Sequence, residues 1–206
     1  MIVSRRTAVL HGASALLESQ VVTTLLECGL GFEVDIPADD ETEARARVAW
    51  LIQTMADHGP KVLLDVKSSA SPPADAAPRW LPALLTEACD ILANADVISY
   101  DHHLLRCLRE ECRDLSLLGI VTGRLVDWMG YINRASLDGL VLQPRFIDRI
   151  LISDCVAAGK TIVAGTCSSD VMVREALSTG VSTLIVDRSI AQMVCQHGWG
   201  DEHARG

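Results

Sequence analysis

Four charged side chains inside two short apolar runs offer the clearest chemistry in this chain. They are Glu33 and Asp35 in "GFEVDI" (31–36), and Asp65 and Lys67 in "KVLLDVK" (61–67). Residues two apart in a strand point to the same face, so each run presents its charged pair on one side. Three carboxylates held close together repel one another and take raised pKa values unless a cation neutralises them. An all-oxygen set of this kind suits Mg²⁺ or Ca²⁺ better than zinc. Lys67 adds a compact positive charge of the kind that neutralises a phosphoryl oxygen. The chemistry implied is a divalent metal beside a phosphate group; the same charges could instead close a salt-bridge ring, with Lys67 and Arg124 as the counter-charges.

The elements that must position these residues follow from periodicity. Apolar or β-branched runs lie at 7–11, 31–36, 61–67, 96–101, 115–123, 137–144, 160–166 and 182–188. Between them the apolar residues recur at helical spacing, as in "FIDRILISDCVAAG", where Phe146, Ile150, Leu151, Ile152 and Val156 are expected to form the buried stripe and Gly159 to end the helix. Strands apolar at nearly every position and separated by single helices belong to a parallel sheet, and eight such units close a barrel. The fold expected is therefore α/β, a compact (β/α)₈ TIM barrel. The alternative, an open doubly wound sheet, lacks the Gly-x-Gly-x-x-Gly turn that would open its first helix.

In such a barrel the chemistry sits at the C-terminal ends of the strands. Those ends supply His11; Glu33 and Asp35; Asp65 and Lys67; Asp101, His102 and His103; Thr122 and Arg124; Gln143; Thr166 and Cys167; and Asp187 and Arg188. His102 and His103 could equally begin the following helix, with Asp101 as its cap. The Pro-rich stretch "SSASPPADAAPRWLP" (68–82) reads as a long surface loop able to overhang the mouth.

Composition narrows the class. With 206 residues, 49% of them hydrophobic and 22% charged, the chain suits one domain spanning 1–206, with a polar C-terminal tail from about 198. Lys and Arg total 18 against 27 Asp and Glu, a formal charge of -9, and no stretch gathers the basic cluster a nucleic-acid surface needs. No apolar run reaches the roughly 18 residues of a spanning helix, so a cytoplasmic protein with no transmembrane segment is expected. The seven cysteines, scattered and without a Cys-x-x-Cys pair, read as free thiols, mostly buried.

"HG" at 11, "LGFEVDI" at 30–36, "VLLDVKSS" at 62–69, "ISYD" at 98–101 and "AGKTIVAGTCSSDVMVREALSTGVSTLIVDRS" at 158–189 resemble the glycerophosphodiester phosphodiesterase superfamily along nearly the whole chain. Asp-x-Lys at 65–67 is closer to its sphingomyelinase D and phospholipase D toxin branch than to the Glu-x-Lys of the glycerophosphodiesterases. The resemblance implies that Glu33, Asp35 and Asp65 are the Mg²⁺ or Ca²⁺ ligands, Lys67 the phosphate-neutralising lysine and His11 the first of two catalytic histidines. In that family one histidine drives a nucleophile onto phosphorus while the other protonates the leaving oxygen. Three departures stand out. The short His-Asp or His-Gly segment that carries the second histidine is missing, because "PADDETEARARVAW" runs straight into a helix. His-Arg-Gly is replaced by Leu10-His11-Gly12, and Trp-Thr by Gly165-Thr166.

Three functions are compatible with this pattern. The chain could act on a small phosphodiester, with His102 or His103 replacing the missing acid and Arg124 helping to bind the substrate. Metal and Lys67 could instead hold a phosphate or diphosphate substrate for lyase or cyclase chemistry. A non-catalytic barrel binding a phosphorylated ligand or a partner protein is the third.

Overall fold

The structure is a computed structural model, and it describes residues 7–10, 27, 30–55, 59–68, 77–92 and 94–197. Eight parallel strands form a closed barrel in chain order. They are β1 (Thr7–Leu10), β2 (Gly31–Pro37), β3 (Val62–Lys67), β4 (Ala95–Ser99), β5 (Leu117–Val121), β6 (Gly139–Leu142), β7 (Thr161–Cys167) and β8 (Thr183–Val186). Pairing of β1 with β8 closes the ring. The helices described are α1 (Glu41–Met55), α2 (Leu81–Ile91), α3 (His102–Glu111), α4 (Trp128–Arg134), α5 (Arg149–Ala157), α6 (Asp170–Ser178) and α7 (Arg188–His197). Among the described residues no helix is long and apolar enough to cross a membrane.

Two cores result from strand alternation. Phe32, Val34 and Ile36 of β2 and Val62, Leu64 and Val66 of β3 belong to the layer between sheet and helices. The barrel interior is filled by Leu63, Ile98, Leu118, Val141, Val163 and Ile185, one from each of β3 to β8, with Ile120 packed against them. By the same alternation β2 sends Glu33 and Asp35 inward. Its contribution to the interior is thus acidic where β3 to β8 contribute an apolar side chain. Register fixes the heights: Glu33 pairs with Leu63 at the level of the apolar plug, and Asp35 pairs with Asp65 one layer above. Gly31 permits this alignment, because a Cβ there would lie 2.1 Å from the Lys61 carbonyl oxygen.

The helix expected over 146–158 differs in phase. Pro144–Phe146 form a 3₁₀ turn, and α5 begins only after Asp148, whose Oδ1 accepts the Leu151 N–H at 2.9 Å. Starting there, the buried stripe is Leu151 and Cys155, while Ile150 and Val156 face solvent. Gly159 does follow the helix with φ of 66°, the left-handed conformation of a helix terminator. Six cysteines, at 89, 107, 112, 155, 167 and 195, are free thiols; the seventh, Cys28, lies outside the described residues, as does the tail beyond 197.

Candidate metal centre at the barrel mouth

Glu33, Asp35 and Asp65 each offer one carboxylate oxygen, and these atoms all lie within 4.8 Å of one another. Ligands of a single hard cation, each about 2.1–2.5 Å from it, stand roughly 3–5 Å apart, so the spacing fits one ion. Glu33 and Asp65 are 2% and 1% exposed, whereas Asp35 is half-buried and nearer the opening.

Asp65 carries the tension of the site. Its Oδ2 accepts a hydrogen bond from the Lys67 ammonium, while its buried Oδ1 has no hydrogen-bond partner. Burial pushes its pKa up to about 7; Lys67 pulls it down, and the negative charges of Glu33 and Asp35 push it further up. The Lys67 ammonium also lies 3.5 Å from Asp35 Oδ1. Burial alone would discharge Lys67, but its bond to Asp65 and the charges of Asp65, Asp35 and Glu33 outweigh that, and its pKa rises. One ammonium thus contacts two of the three carboxylates directly. The orphaned Oδ1 and the all-oxygen donor set fit a hard divalent cation such as Mg²⁺ or Ca²⁺.

The remaining candidates that the structure describes have partners of their own. His11 lies outside the described residues. Asp101 caps α3, its Oδ1 accepting the N–H groups of His103 at 3.1 Å and Leu104 at 3.0 Å. The His102 ring packs on Gly119, at a position where a Cβ would come within 3.1 Å of Nε2. Gly119 alternates with the inward Leu118 and Ile120, so this ring lies in the layer outside the sheet. Both its nitrogens are engaged: Nε2 donates to the Ile120 carbonyl at 2.9 Å, and Nδ1 accepts from the Tyr131 hydroxyl. Burial lowers its pKa. His103 lies along its own helix, with Nδ1 3.4 Å from Arg106 Nη2 and Nε2 3.8 Å from Cys107 Sγ.

Arg124 does not close a ring around the acidic set. It is exposed and pairs with Asp148 at 2.8 Å, beside an apolar groove of about 500 Å³ lined by Leu125, Val126, Trp128, Phe146 and Ile150. Thr122 is exposed and Gln143 half-buried. Cys167 is buried, and burial first, then Glu175 and Asp187, pushes its thiol up to about 12. Asp187 Oδ1 accepts from Ser189 Oγ at 2.7 Å and the Ile190 N–H at 3.0 Å, the arrangement of a helix cap.

Two residues at the site escape a strand-end inventory. Tyr100 lies with its ring centroid 5.7 Å from the Lys67 ammonium, and Ser68 Oγ donates to Asp101 Oδ2 at 2.8 Å, tying the end of β3 to the start of α3. The signal for Tyr100 is present in the sequence: Asp96, Ile98 and Tyr100 continue one alternation.

No protein-family model matches the chain, and no curated protein matches it in sequence. Solved structures do match. The barrel is similar to those of glycerophosphodiester phosphodiesterases. The enzyme of Parabacteroides distasonis superposes with a TM-score of 0.64 at 14% identity, covering 94% of this chain and 97% of that one. A phosphodiesterase from Oleispira antarctica, solved with its product sn-glycerol-3-phosphate, gives 0.60 at 12% identity over 88% and 92%. A thiamine phosphate pyrophosphorylase from Pyrococcus furiosus gives 0.59 at 13% identity over 96% and 98%. At these identities the likeness is one of fold.

Proposed function

We propose that this chain is a divalent-metal-dependent enzyme acting at phosphorus on a small phosphodiester, by hydrolysis, cyclisation or transfer. The observation that carries the reading is the cluster of Glu33, Asp35 and Asp65 with Lys67 on the interior face of two adjacent strands. Glu33, Asp35 and Asp65 would hold the Mg²⁺ or Ca²⁺, which supplies Lewis-acid charge at a phosphoryl oxygen when bound. Lys67 neutralises a second phosphoryl oxygen as charge develops there. Its half-buried position above Asp65 leaves the ammonium partly open to the mouth. His11 is the proton carrier suggested by the family pattern, and Asp-x-Lys at 65–67 favours the sphingomyelinase D and phospholipase D toxin branch of that family. The protein would work on a soluble substrate in the cytoplasm, as a single barrel domain.

A second reading has an observation of its own. His102 is held in the layer outside the sheet and His103 lies against its own helix, so neither is presented to the acidic cluster as a general acid. A leaving alkoxide needs a proton, whereas a leaving diphosphate does not when a metal and an ammonium share its charge. A diphosphate substrate, with lyase or cyclase chemistry, would therefore suit this mouth without a second histidine.

Turnover of a glycerophosphodiester and of a prenyl diphosphate, each measured with Mg²⁺ and with chelator, separates the two. The expected result is Mg²⁺-dependent release from the phosphodiester, slowed about 10²- to 10⁴-fold by replacing the responsible histidine among His11, His102 and His103 with Ala. Turnover of the diphosphate alone, indifferent to all three histidine changes, would favour the second reading. No metal-dependent turnover of either would sink both.

A further inference from the structure

Tyr100 is the one exposed aromatic side chain among the described residues, with 59% of its surface open to solvent. Its backbone, unlike its ring, is firmly held. On one side Ser99 is buried, and its hydroxyl donates to the Val66 carbonyl at 2.6 Å and accepts the Asp101 N–H at 3.0 Å. On the other side Asp101 accepts from Ser68 Oγ at 2.8 Å and from the His103 and Leu104 N–H groups. These bonds anchor the peptide at both flanks of an aromatic ring left in water. The ring stands within cation–π range of the Lys67 ammonium, at 5.7 Å from centroid to nitrogen.

A phosphoryl oxygen paired with that ammonium sits about 3 Å from it. An organic group esterified to the same phosphorus would then be within reach of the ring. A pre-positioned aromatic face with a polar tip rewards a flat, electron-delocalised partner through offset stacking, and gives little to a small polyol that is already well hydrated.

We propose that Tyr100 is the specificity-determining platform of the mouth, stacking on the substituent of the phosphate ester and favouring planar or unsaturated groups over inorganic phosphate or glycerol-like polyols. This rests on the reading of Lys67 as the phosphate-binding residue. Calorimetric titration of the full chain in saturating Mg²⁺ with inorganic phosphate and with phenyl phosphate tests it. Phenyl phosphate should bind the wild type about 3- to 10-fold more tightly than inorganic phosphate. Tyr100→Ala should erase that preference while changing phosphate affinity far less, and Tyr100→Phe should retain it. Phosphate binding with no phenyl preference, or a preference undiminished in Tyr100→Ala, would overturn the proposal alone. Equal loss of both ligands in Tyr100→Ala would overturn it too, in favour of a role confined to holding Lys67. Failure of the wild type to bind either ligand would overturn it together with the phosphate-site reading beneath it.

Discussion

Lysine meets aspartate at both ends of β3, and the two meetings differ in kind. At the N-terminal end Lys61 Nζ lies 2.6 Å from Asp96 Oδ2, with side chains 17% and 9% exposed. That pair is one cation to one anion. At the C-terminal end Lys67, 41% exposed, bonds to Asp65 and approaches Asp35, with Glu33 buried alongside. There a single ammonium is shared between two carboxylates, those of Asp65 and Asp35. Folding alone completes the first arrangement, whereas the second keeps a buried Asp65 oxygen without a partner. In barrels of this type the N-terminal face serves stability and the C-terminal face serves chemistry, and here the division is visible in how the two lysines are paired.

Cutting each end in turn puts the comparison at risk, and the largest effect is expected at the balanced end. Asp96→Ala leaves the Lys61 ammonium enclosed without its counter-ion and should cost about 3 kcal/mol in a urea unfolding experiment. Asp65→Asn, studied in chelator, should cost much less or stabilise the fold, because it removes a repelled charge. Equal destabilisation by the two substitutions would mean that the upper cluster is as well satisfied as the lower pair.

A smaller effect is expected in the pH dependence. The Asp65 carboxyl titrates at about 7 in the folded chain against 3.8 ordinarily, with burial as the main cause. Between those values the folded state binds more protons than the unfolded one, so the contribution of Asp65 to stability is fully present below about pH 4 and is lost as pH rises through about 7. In chelator, wild type should therefore lose stability relative to Asp65→Asn between pH 5 and 7, by at most about 1.4 kcal/mol per pH unit. Saturating Mg²⁺ should flatten the slope. A difference that stays constant across this range would show that Asp65 is not under the strain its surroundings imply.

How far these ends could be read from sequence depends on whether the causes are local. The barrel was legible because strands buried on both faces appear as short apolar runs, and the inward pointing of Glu33, Asp35, Asp65 and Lys67 followed from alternation within two such runs. Asp101 as a cap was legible for the same reason, since a cap acts on residues two and three positions ahead. The helix after β6 was not, because its phase is set by where it starts, and Pro144 and Asp148 delay that start until Ile150 and Val156 turn outward. His102 and Arg124 depend on partners far along the chain: on Gly119 and Tyr131, and on Asp148. No spacing within one segment encodes those meetings.

The central claim is that Glu33, Asp35 and Asp65 form one cation site. Titrating Mg²⁺ into wild type and into Asp35→Ala by calorimetry tests it most directly, because Asp35 is half-buried at the opening and its removal leaves both cores untouched. Saturable binding of one ion by the wild type and none by Asp35→Ala is the result predicted; equal binding by the two proteins, or no binding by either, would contradict it.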